Sequence, residues 1–312
     1  MLSDRAPDAA VAAELIAVIV AADESEPRVL TVEDAKALPS GPFESTHRSL
    51  QSGLRAWVEA QTHHPLGYVE QLYTFADRDR TGTGAAWRTI SISYLGLTRE
   101  NGAVGAAEAS WQGWYRYFPW EDRRSGAAGG ALIAATLAAW ATEEDAPARR
   151  RARRERAAIA FGLRGQAWNE ELSLQRYELL YEAGLVAEAG TAGARLGERR
   201  VPGNPMLHDH RRILATGIAR LRAKIKYRPV VFELMPPSFT LLQLQQVVEA
   251  LAGIRLHKQN FRRLIAQQNL VEETDAMSVE TGGRPARLFR FRRAVLSERA
   301  ATGTKLPLAR SG

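Results

Sequence analysis

The chain of 312 residues has no cysteine. Disulfides and thiolate-ligated zinc or iron–sulfur sites are thereby excluded. No apolar run approaches the ~20 residues that a membrane helix needs. The longest near the start, Leu15 to Ala22, has the length of a strand. Met1 to Ala13 lacks the basic start and apolar core of a secretion signal, so a cytoplasmic protein without a membrane partner is expected. Acid is scarce in one region. Between His208 and Arg293 only 7 Asp and Glu stand against 16 Lys and Arg, in a chain whose formal charge is +7. The remainder is therefore close to neutral or slightly acidic. A basic surplus confined to one domain is the footprint of phosphate binding. The length predicts two domains and enough chain for a real core.

The basic region contains the clearest local signals. Thr240 and Gln243 form a capping box, with Phe239 and Leu244 as the staple around it. Leu241, Leu244, Val247, Val248 and Leu251 follow at helical spacing, and Gly253 stands where a helix stops. A second helix is predicted over Leu256 to Asn269. Phe261, Leu264 and Ile265 make its buried stripe, Gln259, Arg262 and Arg263 face away, and Asn260 lies on the flank. Gly282-Gly283-Arg284-Pro285-Ala286-Arg287 then opens a basic hairpin. Helix, turn, basic helix and basic hairpin form the order of a winged helix-turn-helix, whose second helix enters the DNA major groove. The bland alternative is an oligomerisation module with a solvated basic face.

The run Tyr227-Arg228-Pro229-Val230, then Phe239-Thr240-Leu241, Leu244, Glu249, Gly253, Lys258, Asn260-Phe261-Arg262-Arg263 and Gly283-Arg284-Pro285-Ala286, resembles the winged-helix domain of the NrtR family. These are Nudix-related transcriptional repressors of NAD metabolism. The resemblance implies DNA contacts by Lys258, Gln259, Asn260, Arg262 and Arg263, with Arg284 and Arg287 on the wing.

Upstream, residues 14–22 and Arg28 to Val32 read as strands, Leu38 to Glu44 as a Pro/Gly turn, and Ser45 to Gln61 as an amphipathic helix buried through Leu50, Leu54, Trp57 and Val58. Tyr68 to Phe75 and Thr89 to Leu97 are further strands, joined by the loop Ala76 to Ala86. This order resembles the Nudix fold. The Nudix box asks for Gly, five residues, Glu, seven residues, then Arg-Glu-apolar-x-Glu-Glu-x-Gly. From Gly41 the spacing fits. His47 replaces the first Glu, Arg55 and Glu59 match, Ala56 and Ala60 replace the other Glu residues, Trp57 is the apolar position, and Thr62 replaces the closing Gly. Three carboxylates at positions 56, 59 and 60 would converge on one side of a helix to hold the Mg²⁺ ions that activate a nucleophile on pyrophosphate. One survives. Hydrolysis is therefore expected to be lost, with no metal and no catalytic cofactor, and Arg55 and Glu59 read as an i, i+4 ion pair. Glu44 and Glu70 are substitute ligands that nothing in the sequence positions.

A retained ligand pocket is what the fold resemblance implies, with an adenine nucleotide (NAD, ATP or ADP-ribose) as effector. Arg55, Glu59, Tyr73, Phe75, Trp87, Arg88 and Tyr94 are its candidate residues, the aromatic ones for stacking and Arg88 for phosphate, against a core role for about half of them. Trp111 to Trp120 packs six aromatics into ten positions, where core or interface outweighs a stacking wall. With the helix around Gln166 to Val186, this segment resembles the NadQ branch, which represses de novo NAD synthesis genes. Residues 126–145 read as an Ala-rich helix, Pro147 to Arg156 as a solvated Arg-rich helix face, and Thr191 to Pro205 as a linker. His208-Asp209-His210, although of metal-like types, reads as the start of a connecting helix, Asp209 to Lys226, buried through Ile213, Leu214, Ile218 and Leu221.

The expected protein is α+β, with a Nudix-like α/β/α sandwich over 1–205, a connecting helix over 206–226, a winged helix-turn-helix over 227–295 and a disordered tail over 296–312. It would act as a homodimeric repressor on a pseudo-palindromic operator. The alternative is an active Nudix hydrolase of ADP-ribose-type substrates with an accessory winged helix.

Overall fold

The computed structural model describes residues 11–77, 88–99, 109–126, 129–190, 200–278 and 285–295. The expected tail 296–312, Gly282 to Arg284, Trp87, the side chain of Arg88 and most of the expected loop and linker lie outside them.

Strand β1 (Val11–Ala22) is the axis of the N-terminal domain. It runs parallel to β5 (Arg88–Leu97) from Val11 opposite Arg88 to Val20 opposite Leu97. Its other edge pairs antiparallel with β2 (Pro27–Thr31) near one end and with β3 (Ser40–Pro42) further down. Strand β4 (Tyr68–Phe75) closes one edge of the sheet on β5, and β6 (Ser110–Gly113) closes the other on β2. Both faces of β1 are covered, which is why it reads as a continuous apolar run. Leu15, Ala17 and Ile19 meet Leu54 and Val58 of α1 (Leu50–Thr62). Ile16, Val18 and Val20 belong to the core shared with α5 (His210–Tyr227). A Cβ at Gly217, mid-way along α5, would meet Val18 at 2.8 Å, so the missing side chain lets this helix lie close on the sheet.

The expected helix from Ser45 starts instead at Leu50. Ser49 and Ser52 cap each other's backbone N–H groups at 3.1 and 2.8 Å, and this local pairing stops the helix short of Ser45. The expected turn Leu38 to Glu44 contains β3, because the backbone of β1 supplies a partner strand that no local signal announces. The indole of Trp57 lies over Gly41, where a Cβ would come within 2.3 Å of the ring, and its Nε1 donates to Pro42 O at 2.9 Å. Gly41→Ala should therefore lower the thermal midpoint by several degrees, since backbone or indole must move. An unchanged melting curve would contradict that packing.

The aromatic segment is core. Trp114, Tyr117, Phe118 and Trp120 are almost fully buried. Helices α2 (Gly130–Thr142), α3 (Pro147–Phe161) and α4 (Ser173–Glu182) surround it as a helical insertion. The helix expected around 166–186 is shorter: Asn169 caps a 3-10 turn at Glu170–Leu172, and α4 follows.

Helix α5 is more than a connector. Its stripe Ile213, Leu214, Ile218 and Leu221 is fully buried, and so are His210, Arg211 and Arg222. His210 Nδ1 accepts from Leu38 N–H at 2.8 Å, so the ring is a structural acceptor. Burial, with a smaller contribution from His208, pushes its pKa down to about 4. The unfolded chain then binds a proton that the folded chain refuses. Stability should be unaffected above pH ~6.5 and fall by about 3 kcal/mol as the pH drops to ~4. His210→Gln should flatten that slope in urea denaturation series, and an unaltered slope would assign it to other groups.

Candidate nucleic-acid interface

Helices α6 (Leu241–Ala252) and α7 (Lys258–Gln268) with strands β7 (Val271–Ser278) and β8 (Ala286–Phe291) form the C-terminal domain. Thr240 and Gln243 make the expected capping box, and Gly253 ends α6 at φ +71°. Phe239 exchanges backbone hydrogen bonds with Phe289 at 2.9 and 2.8 Å, a single bridge that ties the segment before α6 to the two-stranded wing. Phe232 stacks on Phe291 with centroids 4.3 Å apart beneath it.

The turn between α6 and α7 is organised by one carboxylate. Glu249 is 4% exposed. It accepts from Gln245 Nε2 at 2.9 Å, from Leu256 N–H at 3.0 Å and from Arg255 at 3.0 Å. Burial pushes its pKa up, but these donors outweigh it and hold the group below its ordinary range. Glu249 was legible only as part of a family pattern.

Phe261 anchors α7, with Ile265 half-buried beside it. Leu264, expected in the stripe, is 49% exposed, so the buried contact of α7 narrows to Phe261 with Ile265 beside it. Lys258, Gln259, Asn260, Arg262 and Arg263 are all exposed on α7. The surplus positive charge of the region is not spread evenly. Arg211 pairs with Glu188, Arg212 with Glu178 and Asp77, Arg222 with Glu121, Lys224 with Glu70, and Lys226 with Glu170 and Glu171. On the wing, Arg287 pairs with Glu273 and Arg290 with Glu272. Among the described residues no acid pairs with Lys258, Arg262 or Arg263. Pairing elsewhere leaves the exposed face of α7 as one place where unpaired positive charges cluster, with Arg220, Arg228 and Arg293 also exposed in this region.

A model of the NrtR DNA-binding winged helix domain matches residues 231–291. The C-terminal domain belongs to that family. Over 83 residues the chain is 43% identical to the ADPR responsive transcriptional repressor NtrR of Acinetobacter baylyi, a match covering 27% of this chain and 33% of that relative. The chain thus spans about a third of the relative's length. The crystal structure of Shewanella oneidensis NrtR complexed with a 27mer DNA aligns over 91% of this chain and 95% of its own, with a TM-score of 0.54 at 18% identity. A MutT/nudix family protein from Enterococcus faecalis gives 0.54 over 93% and 90% at 15% identity. These likenesses give the fold of the whole chain, a Nudix-like domain followed by an NrtR-type winged helix.

The NrtR-type domain is clamped to the Nudix-like one. The last-turn carbonyls of a helix have no intrahelical donor. Here Tyr115 Oη donates to Ala250 O at 2.6 Å, Arg222 Nε to Leu251 O at 2.9 Å, and Arg123 N–H to Gly253 O at 2.7 Å. Arg222 is held in turn by Glu121, which also takes Arg176 Nε and Nη2 at 2.5 and 2.8 Å and Ser173 Oγ at 3.1 Å. Glu121, Arg176 and Arg222 are completely buried. A Cβ at Gly253 would come within 2.2 Å of Glu121 O.

The expected ligand residues are dispersed. Phe75 and Tyr94, 4% and 2% exposed, are core residues on opposite faces of the sheet. The sheet is covered on both sides, so alternation could not separate wall from core. Tyr73 is exposed and leans on Phe75, with centroids 4.9 Å apart. Arg55 donates to the carbonyls of Leu66 and Gly67 in place of the expected pair with Glu59. Glu59 is exposed on α1 between exposed Ala56 and Ala60. Glu70 is engaged by Lys224 and by Tyr68 Oη at 2.6 Å, and His47 Nδ1 accepts from Glu44 N–H at 3.0 Å to hold the turn before α1.

Proposed function

We propose that the chain is a homodimeric transcriptional repressor of NAD biosynthesis genes, reading a pseudo-palindromic operator through α7 and responding to an adenine nucleotide. The observation that carries this is the exposed face of α7, where among the described residues no acid pairs with Lys258, Arg262 or Arg263, while Lys226, Arg287 and Arg290 are paired. Lys258, Gln259, Asn260, Arg262 and Arg263 reach base edges and phosphates in the major groove, and Arg284 and Arg287 serve the wing. For Arg287 this requires exchange of Glu273 for phosphate, a swap between two anions at an exposed site.

The Nudix-like domain supplies the response. The NtrR relative is ADPR responsive by name, and ADP-ribose, NAD and ATP share the adenosine phosphate unit. Hydrolysis is absent on this reading: His47, Ala56 and Ala60 stand where a Nudix hydrolase has carboxylates, and Glu59 alone cannot hold bridging metal ions. Glu59 and Tyr73, both exposed, and Trp87 and Arg88, outside the described side chains, are the individual positions to test for the effector. The effector acts by binding DNA-competent and incompetent dimers unequally.

The test is fluorescence anisotropy with the upstream region of an NAD-synthesis operon against scrambled DNA, titrating NAD, ATP and ADP-ribose. Selective binding shifted by one nucleotide is expected. Equal affinity for both DNAs, or Mg²⁺-dependent turnover of ADP-ribose, would overturn the reading.

A further inference from the structure

The helical insertion carries a basic groove that neither the DNA face nor the Nudix-box helix uses. Helix α3 bears six arginines in two groups. Arg149 and Arg153 pair with Glu144 at 2.9 and 3.4 Å, and Arg156 pairs with Glu182 at 2.5 Å. Arg150, Arg151 and Arg154 lie on the other side of the helix, and Arg164 joins them to line a concave groove of about 580 Å³ with Glu155 and Gln166. Arg150 is anchored by donating to the carbonyls of Glu144 and Asp145 at 2.9 and 3.4 Å, which leaves its charge in place. Among the described residues no acid pairs with Arg151, Arg154 or Arg164.

Two features separate this groove from a solvated helix face. The first is the backbone. After Gly162 at φ +61°, Arg164 sits in the left-handed region at φ +54°, followed by Gly165 at +84°. A β-carbon is disfavoured there, and the strained turn returns the Arg164 side chain to the wall of the groove instead of releasing it to solvent. The second is an annex. An apolar cavity of about 190 Å³ between α2 and α3, lined by Ala134, Leu137, Ala138 and Leu163, shares Arg154, Ala158 and Arg164 with the groove. Arg154 repels Arg150 at i, i+4 and Arg151 at i, i+3, Glu155 on the same rim offsets part of this, and a bound anion relieves the rest.

We propose that this groove is a binding site for an organic polyphosphate. The guanidinium forks hold the phosphates, and the apolar annex takes a flat or aliphatic end of the same molecule. A duplex presents its phosphates on a convex backbone and has nothing to place in the annex, so a small molecule fits the concave shape better than DNA. The site goes beyond the effector reading above, since none of the candidate effector residues, Glu59 and Tyr73 among them, lines this groove.

Calorimetric titration of the full chain with ATP, tripolyphosphate and adenosine tests it. The variants are Arg151→Ala/Arg154→Ala, the paired control Arg149→Ala, and Ala138→Phe, an exposed position whose new ring fills the annex. Loss of two charge-assisted contacts should weaken ATP and tripolyphosphate at least about tenfold in the double variant, while Arg149→Ala stays within about twofold. Ala138→Phe should weaken ATP but spare tripolyphosphate. Circular dichroism and a thermal midpoint confirm that each variant folds. Failure of the wild type to bind either phosphate compound overturns the proposal, as does unchanged affinity in the double variant. Weakened operator binding at unchanged ATP affinity also overturns it and makes the groove a DNA contact.

Discussion

Glu121→Ala is expected to remove about 3–5 kcal/mol of folding stability, because it leaves two buried guanidinium groups without their counter-charge. Arg176 and Arg222 both converge on this carboxylate at zero exposure, and neither has water to fall back on. Urea denaturation measures the loss, and a wild-type midpoint would remove the cluster from the energetics of the fold. The variant also loosens the clamp on α6, since Arg222 loses the anion that aims its Nε at Leu251 O. Resistance to limited proteolysis between the two domains should fall with it. The same carboxylate sets an acid limit. Burial pushes its pKa up, but Arg176 and Arg222 outweigh burial and hold it below the ordinary carboxylate value. A depressed carboxylate contributes stability that is fully present above the unfolded pKa and lost as the pH falls through the folded one. Wild-type stability should therefore decline below pH ~4.5 with a component that Glu121→Ala lacks. Replacing Glu121, Arg176 and Arg222 together by apolar residues of similar volume should recover much of the loss, because paired desolvation then disappears along with paired attraction.

Arg263→Ala should weaken operator binding by about 1–3 kcal/mol, roughly five- to 150-fold, if its guanidinium makes a bidentate base contact. The weakening should be largest on the cognate sequence. A uniform loss on cognate and scrambled DNA, with a smaller salt slope, would recast Arg263 as a phosphate contact. Arg290→Ala is the internal control. It belongs to the same domain and has the same formal charge, but Glu272 neutralises it at 2.6 Å, so the expected change is below about 0.5 kcal/mol. Equal effects at the two positions would mean that net charge, not the geometry of α7, governs binding.

How much of this was legible in advance differs between the two domains. In the winged helix the signals are local. A capping box at Thr240 and Gln243 and a left-handed stop at Gly253 each involve residues a few positions apart, and each formed where it was read, while the expected staple residues Phe239 and Leu244 are both buried in the core. The exposed residues of α7 proposed to face DNA are legible for the same reason, since an amphipathic helix declares its wet side through its own periodicity. Leu264 shows the limit. Periodicity assigned it to the stripe, but periodicity does not say how wide the covering surface is, and Leu264 stands half in solvent.

The N-terminal domain was read correctly in β1, β2, β4 and β5 but not in β3 and β6, and poorly in its candidate pocket. A sheet covered on both faces turns inward- and outward-facing aromatics into equal candidates, and only the register of β4 on β5 sends Phe75 and Tyr94 to opposite cores. Arg55 has the spacing of an ion pair with Glu59, yet the chain after α1 returns two carbonyls to it. Glu121 sits in a polar run, Glu-Asp-Arg-Arg, that resembles solvated surface, and its partners lie 55 and 101 residues away. One signal was available. Arg222 falls one turn after Ile218 on the buried stripe of α5, where a charge demands a partner.

The sequence by itself determined most of the elements, the cap of α6, the two-domain order and the basic helix, because each depends on interactions within a few residues or on residue identity alone. The tertiary structure decided which faces are covered, which arginines are neutralised and which remain free, and how the last turn of α6 is capped from another domain. Those outcomes depend on contacts between residues far apart in the chain, and local periodicity carries no information about a partner that only folding brings near.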